Sequence, residues 1–169
     1  MTKDWIQGSE SKYTNWQLIL LVTLRVAIGW HFLYEGLAEL TNPDWSSIGF
    51  LLDSKGIFSG FFISLTTNPD VLKVIDFLNI WGLIAIGLGL ILGSFTRIAI
   101  VAGIVLLGLY YLSHPPFVGL KFIVPSEGSY LIVNQNLIEI FALTVLLVFP
   151  TGKQIGLDRF VFKWQKSKY

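Results

Sequence analysis

Long apolar runs, broken by short polar segments, dominate the chain. Four of these runs are long enough to cross about 30 Å of hydrocarbon as helices, and they occupy approximately residues 17–38, 71–93, 96–113 and 131–149. The segment between the first two begins and ends with Asn-Pro-Asp turns, and its apolar centre is too short to span. The pattern predicts an all-α integral membrane four-helix bundle in one domain, 1–169, with a partly helical re-entrant or interfacial loop between the first two spans.

Composition supports the membrane class and excludes several kinds of chemistry. Hydrophobic residues make up 53% of the chain and charged residues only 14%, whereas soluble domains carry about 25% charged residues. The net charge of +1 provides no basic field for nucleic acid. The absence of cysteine excludes disulfide exchange, thiolate catalysis and cysteine-ligated metals, and no metal site is predicted.

Lysine and arginine are unequally divided between the two sides of the predicted bundle. The side with both termini holds Lys3, Lys12, Arg97, Lys153, Arg159, Lys163, Lys166 and Lys168, and the other side holds Lys55, Lys73 and Lys121. The positive-inside rule therefore predicts a multi-pass protein of the inner (cytoplasmic) membrane with both termini in the cytoplasm. The segment 152–169 is predicted to form a basic amphipathic tail on the cytoplasmic surface.

The first span carries four ionisable side chains, which is unusual for a membrane anchor. At 100° per residue, His31, Glu35 and Glu39 fall on one stripe of the helix, with Arg25 at its border. Ionisable groups are costly inside a bilayer, so they face the bundle interior and usually pair. We expect Arg25 to pair with a carboxylate, and Glu139 is the leading candidate by depth. Gly29 and Gly36 beside the stripe are expected to allow close helix approach.

Apart from Arg25, the strongly polar groups of the spans lie in their outer halves. This predicts a polar and aromatic pocket that opens toward the outer leaflet and binds a flat ligand. The predicted lining residues come from all four spans: Arg25, Trp30, Phe32, Asn79, Trp81, Tyr110, Tyr111, His114, Asn134 and Asn136. Structural roles are open for several polar groups, including solvation of Glu39 and His114 and helix capping by Asp76.

Three stretches of the chain resemble the DoxX/DoxD family of small four-helix membrane proteins. The first, "LRVAIGWHFLYEGLAEL", follows an Arg-x-x-x-Gly-x-x-Phe-x-x-x-Gly pattern through Arg25 and Gly36; the others are "GLIAIGLGLILGSFTRIA" and "NLIEIFALTVLLVFPTGKQIGLDRF". Glu39 stands where the family often has Lys. DoxD-type members resemble the membrane subunit of thiosulfate:quinone oxidoreductase, so the resemblance implies a quinone-linked redox role.

The leading hypothesis is a membrane subunit that passes electrons from an extracytoplasmic dehydrogenase partner to a menaquinone-like quinone. His31 would hydrogen-bond a quinone carbonyl, and Glu35 or Glu139 would carry protons, which makes these three residues the predicted catalytic groups. The electron donor would be a separate oxidoreductase subunit, because the chain has no flavin or nicotinamide fingerprint and no iron–sulfur ligands.

Other hypotheses stay open at the sequence level. The main alternative is a non-catalytic membrane anchor or scaffold that recruits a periplasmic partner through the first loop. A haem-b protein with His31 and His114 as axial ligands is disfavoured because His114 follows the third span beside two prolines. A transporter is disfavoured by the apolar inner halves of the spans. The sequence leaves a homo-oligomer open.

Overall fold

The computed structural model describes residues 13–123 and 131–159. Within those ranges the elements are helical, as the apolar runs predict. In chain order they are α1 Asn15–Thr41, α2 Ile48–Leu52, α3 Ser59–Ser64, α4 Pro69–Leu92, α5 Thr96–Ser113 and α6 Gln135–Val148. The four longer helices form the bundle, and α2 and α3 lie in the loop between α1 and α4.

Local capping chemistry sets where the bundle helices begin and end. Thr14 and Gln17 form a capping box at the start of α1. The Asn68 side chain accepts backbone N–H groups at the start of α4, whose first residue is Pro69. The α4 helix ends at Gly93, which has φ 64°, a left-handed conformation that glycine adopts without strain. The chain can therefore turn at once into α5.

Successive bundle helices run in opposite directions, which gives the bundle two distinct ends. We call the end where α1 and α5 finish the loop end, because the two long connections lie there. The opposite end holds the tight turn between α4 and α5 and also the segment 151–159 that follows α6. That segment packs against the turn, where the backbone N–H groups of Leu157 and Asp158 donate to the carbonyls of Leu92 and Gly93. We call 151–159 the clasp segment and this end the clasp end.

Glycines bring α1 and α4 into close contact. A Cβ atom on Gly87 would lie 2.6 Å from the backbone nitrogen of Leu33 and 2.7 Å from the carbonyl oxygen of Gly29. On α1, a Cβ on Gly36 would lie 2.8 Å from the Ile84 side chain. The close approach expected at Gly29 and Gly36 is confirmed, because only hydrogen fits on these faces.

An apolar core fills the centre of the bundle. It combines side chains from α1, α4, α5 and α6: Ile28, Phe32, Leu83, Ile86, Leu90, Ala99, Ile100, Leu107, Leu143 and Leu146. Leu90 and Leu143 are completely buried. All four bundle helices therefore share one core.

The loop between α1 and α4 is tied to the bundle by polar side chains. Asp76 of α4 accepts hydrogen bonds from the Ser46 and Ser47 side chains and from the Ser47 backbone. The Ser54 hydroxyl donates to the Ser113 carbonyl at the end of α5. The loop thus covers the loop end with two short helices, which confirms a partly helical element between the first two spans.

Length and composition make α1, α4 and α5 each long and apolar enough to cross a membrane. The bounds of α5 coincide with the predicted span, while α1 and α4 extend beyond theirs by two or three residues at some ends. The fourth apolar helix is shorter, with 14 residues, or about 21 Å. It begins at 135, not near 131, because Asn134 caps it. The predicted tail 152–169 packs into the clasp end as far as 159, and its remainder lies outside the described residues.

Candidate functional site

A histidine–carboxylate pair joins α1 to α6 in the loop-end half of the bundle. The Nδ1 atom of His31 lies 3.0 Å and 3.1 Å from the two carboxylate oxygens of Glu139. The Glu139 side chain is 9% exposed, whereas that of His31 is 39% exposed. The pair therefore presents the imidazole at the side of the bundle and keeps the carboxylate inside.

The start of α6 places Glu139 at this level. The Asn134 side chain accepts the backbone N–H of Leu137, so the helix begins at Gln135 and carries Glu139 slightly more than one turn below its start. His31 lies ten residues before the end of α1, or about 15 Å from the loop end. Asn136, another predicted site residue, is half-buried on the first turn of α6.

The predicted pairing of Arg25 with Glu139 is wrong. Arg25 is buried, and its guanidinium donates to the Thr151 hydroxyl at 3.0 Å and to the Ile155 carbonyl at 2.8 Å. Arg25 lies six residues before His31, so it is about 9 Å closer to the clasp end. At that depth its neighbours are the residues that follow α6, and Glu139 is bonded to His31 instead.

A second polar network crosses three helices near the loop end. The Asn79 amide of α4 donates to a Glu39 carboxylate oxygen at 2.7 Å and accepts the hydroxyl of Tyr110 from α5 at 2.5 Å. Glu39 also lies within electrostatic reach of Glu35 on its own helix and of Asp76. Asn79 therefore links Glu39 of α1 to Tyr110 of α5.

Other predicted site residues lie elsewhere on the bundle. Phe32 is buried in the core, whereas Trp30 and Trp81 are 60% and 48% exposed on the bundle surface. The Tyr111 hydroxyl donates to the Ile132 carbonyl just before α6, and Glu35 is exposed on α1. The structure thus brings His31 and Glu139 together, groups Glu39 with Asn79 and Tyr110, and places the tryptophans on the outside.

His114 belongs to the cover of the loop end. Its ring stacks on Phe50 with centroids 4.0 Å apart and lies 4.7 Å from the ring of Phe122. Its Nδ1 is 3.1 Å from the Ser113 hydroxyl, and its Nε2 is buried without a hydrogen-bond partner among the described residues. Burial lowers the pKa of His114 below its usual range. His114 therefore packs among aromatic rings of the loop-end cover, whereas His31 pairs with Glu139.

The carboxylate of Asp158 stabilises the clasp end. Asp158 is buried, and its two oxygens accept the backbone N–H groups of Phe95 and Thr96 at 2.7 Å and 3.1 Å. Phe95 has φ 48°, an uncommon conformation for a non-glycine residue. A carboxylate at this helix start is stabilised by the α5 dipole, so Asp158 fixes the turn between α4 and α5.

One protein-family model matches a range of the chain that contains several of these residues. The DoxX family model matches residues 20–115, which include His31, Asn79 and Tyr110. The chain belongs to the DoxX family. It is accordingly a multi-pass membrane protein in contact with the lipid bilayer. Comparisons with curated proteins and with solved structures found no match. Glu139 and the clasp segment of this DoxX protein lie beyond the matched range.

Sequence reasoning missed several of the pairings in this DoxX protein. The His31–Glu139 pair was missed because Glu139 was assigned to Arg25, although a depth difference of about 9 Å separates Arg25 from His31. The anchoring of Arg25 and Asp158 to the clasp end was also missed. Two of the stretches that resemble the family end near Thr96–Arg97 and Leu157–Asp158, and these are the turn and the segment that Asp158 joins.

Proposed function

We propose that this protein is the membrane subunit of a quinone-linked oxidoreductase and that the seam between α1 and α6 binds the quinone headgroup. The observation that carries the proposal is the His31–Glu139 pair, with Nδ1 3.0 Å from the carboxylate. A fixed imidazole can hydrogen-bond a quinone carbonyl, and the adjoining carboxylate can accept or supply protons. This is the donor set that a quinone headgroup requires.

Access from the bilayer supports the same assignment. Contacts between α1 and α6 are sparser than those between α1 and α4 or between α5 and α6. The His31 ring is 39% exposed, and Glu35 one turn further along α1 is exposed as well. An apolar ligand dissolved in the membrane would therefore reach the pair from the side without disturbing the core.

The reaction would need a partner protein. Reduction of a quinone to a quinol consumes two electrons and two protons. The chain has no cysteine to ligate an iron–sulfur cluster, and we assign the two electrons to a separate dehydrogenase subunit docked at the loop end. The excess of Lys and Arg on the opposite side supports an extracytoplasmic loop end in the inner membrane.

Quinone binding to the purified protein tests the proposal. The protein in lipid nanodiscs would be titrated with a short-chain naphthoquinone, and binding would be followed by quenching of tryptophan fluorescence. We expect His31→Ala and Glu139→Gln each to weaken binding about tenfold, which corresponds to the loss of one good hydrogen bond at about 1.4 kcal/mol.

Matched controls separate this effect from general damage to the helices. Thr23→Ala on α1 and Thr144→Ala on α6 change exposed positions of the same helices and should leave the affinity unchanged. Equal affinity in the wild type, His31→Ala and Glu139→Gln would overturn the quinone site. The protein would then fit better as an anchor for an extracytoplasmic partner.

A further inference from the structure

We propose that the His31–Glu139 pair exchanges protons with the loop-end surface through Glu35 and Glu39 and is sealed from the clasp end. The assignment deepens the proposed function, since it states from which side the protons for quinone reduction come. It rests on the order of titratable groups along α1 and on the packing beneath His31.

Carboxylates follow His31 toward the loop end at regular intervals. Glu35 and Glu39 come four and eight residues after His31 on α1, so each step climbs about 6 Å on one face of the helix. Glu39 is electrostatically coupled to both Glu35 and Asp76. These spacings are short enough for one or two water molecules to connect neighbouring groups.

The upper end of this series lies under the loop that covers the loop end, where Glu39 and Asp76 are half-buried. Asp76 is held by the hydroxyls of Ser46 and Ser47 just after the turn that follows α1. Glu39 is held by Asn79, which also accepts the Tyr110 hydroxyl. The carboxylates at this level are therefore held by neutral donors and remain partly exposed, which allows protons to reach them from the loop end.

The route toward the clasp end is closed by apolar packing. Below His31 the interior is filled by Ile28, Leu90, Ile100, Leu143 and Leu146, which are at most 8% exposed. The ionisable group of α1 below that level is Arg25, whose guanidinium is fixed to Thr151 and Ile155. Arginine does not release its proton in proteins, so Arg25 cannot continue the series.

The consequence is a reaction without net charge movement. Two electrons from a partner at the loop end and two protons from the same side would convert the quinone to the quinol. No charge would cross the membrane in this half-reaction. The protein would feed the quinone pool without itself generating a membrane potential.

The test measures protonation from one side at a time and needs neither partner nor quinone. The protein would carry a tag at one terminus and be reconstituted in vesicles. Vesicles that expose the tag on the outside would be removed, so that the loop end faces outward in those that remain. Rapid steps between pH 8 and pH 5 would be applied to the outer solution with the lumen buffered, and infrared difference spectra recorded. Bands lost in Glu139→Gln and in His31→Ala identify the pair.

We expect the bands of the pair to respond promptly to outer steps. A Glu35→Gln, Glu39→Gln double variant should slow the response at least tenfold at unchanged final amplitude. Asp70→Asn is the control, because Asp70 is a 91% exposed carboxylate at the loop-end start of α4; it should respond as the wild type does.

Two results would overturn the proton route. One is an equally fast response in vesicles selected for the opposite orientation, where the clasp end meets the stepped solution. The other is an unchanged rate in the double variant. Loss of quinone binding affects neither readout, so a failure of the proposed function is distinguishable from a failure of this route.

Discussion

Helix α1 meets α4 and α6 along two seams that are built from different chemistry. Against α4 it presents Gly29 and Gly36, and the helices touch through backbone and aliphatic atoms. Against α6 and the segment that follows it, α1 presents His31 to Glu139 and Arg25 to Thr151. The first seam is closely packed and apolar below the Glu39–Asn79 hydrogen bond near the loop end, whereas the second is sparsely packed and joined mainly by polar contacts.

The difference follows from how helices associate in a bilayer. Lipid tails are as apolar as leucine, so close van der Waals packing between small residues stabilises a seam where backbones can approach. A polar contact contributes less on average, about 0.6 kcal/mol in membrane helices, but it can bind something other than its partner. The α1/α4 seam thus contributes most to stability, and the α1/α6 seam is the one at which we propose that a ligand binds.

The strongest test of this comparison adds a methyl group to the closely packed α1/α4 seam. Gly87→Ala should lower the free energy of unfolding by about 3 kcal/mol, because its Cβ would overlap backbone atoms of Leu33 and Gly29 that cannot move independently. Unfolding in mixed detergent, followed by circular dichroism, measures the change. Gly82→Ala on the same helix is the control, since a Cβ there has no atom within 4 Å. Equal stability of the two variants would contradict the assignment.

A smaller effect is expected at the clasp-end contact of the polar seam. Arg25→Met should lower the free energy of unfolding by about 2 kcal/mol, because it leaves the buried Thr151 hydroxyl and the Ile155 carbonyl without their donor. Adding Thr151→Val should restore part of the loss by removing one of the orphaned groups. If the double variant is less stable than Arg25→Met alone, the Arg25–Thr151 hydrogen bond is not the source of the effect.

The smallest effect is expected at the candidate site itself. A double-mutant cycle with His31→Ala and Glu139→Gln should give a coupling energy below about 1 kcal/mol, because the imidazole is 39% exposed and polar contacts between membrane helices are weak on average. The same unfolding assay measures it. A coupling above about 2 kcal/mol would make the pair a structural bridge like that of Arg25.

Much of the fold could be predicted from the sequence because membrane-spanning helices are long apolar segments. The apolar runs located the four bundle helices, and Gly29 and Gly36 marked the tight seam. The start of α6 was misplaced since Leu131, Ile132 and Val133 are apolar but precede the cap at Asn134, and Leu131 has φ 69°. Hydropathy does not distinguish an apolar residue in a helix from one just before it.

The pairings of the site were harder to predict. Arg25 was expected to pair with Glu139, but its hydrogen-bond partners are a hydroxyl and a backbone carbonyl 126 and 130 residues away. The carboxylate that interacts with it electrostatically is Asp158 in the same segment. The position of His31 and Glu139 in apolar segments was enough to nominate them as candidate site residues. Their mutual contact depended on the rotation of α1 and α6 about their axes, which the sequence pattern left undetermined.

The distance along the chain between Arg25 and Thr151 has a consequence for biosynthesis. The two residues are separated by 126 positions, which a ribosome needs on the order of 10 s to translate at about 5–20 residues per second. Throughout that interval an arginine that costs roughly 2.5–3.5 kcal/mol at the centre of a helix lacks its final partners. We expect the nascent first helix to stay beside the insertion machinery or near the membrane surface during that time. Synthesis of the clasp segment supplies the partners of Arg25. A chain truncated before residue 151 would therefore keep an arginine in its first helix without them.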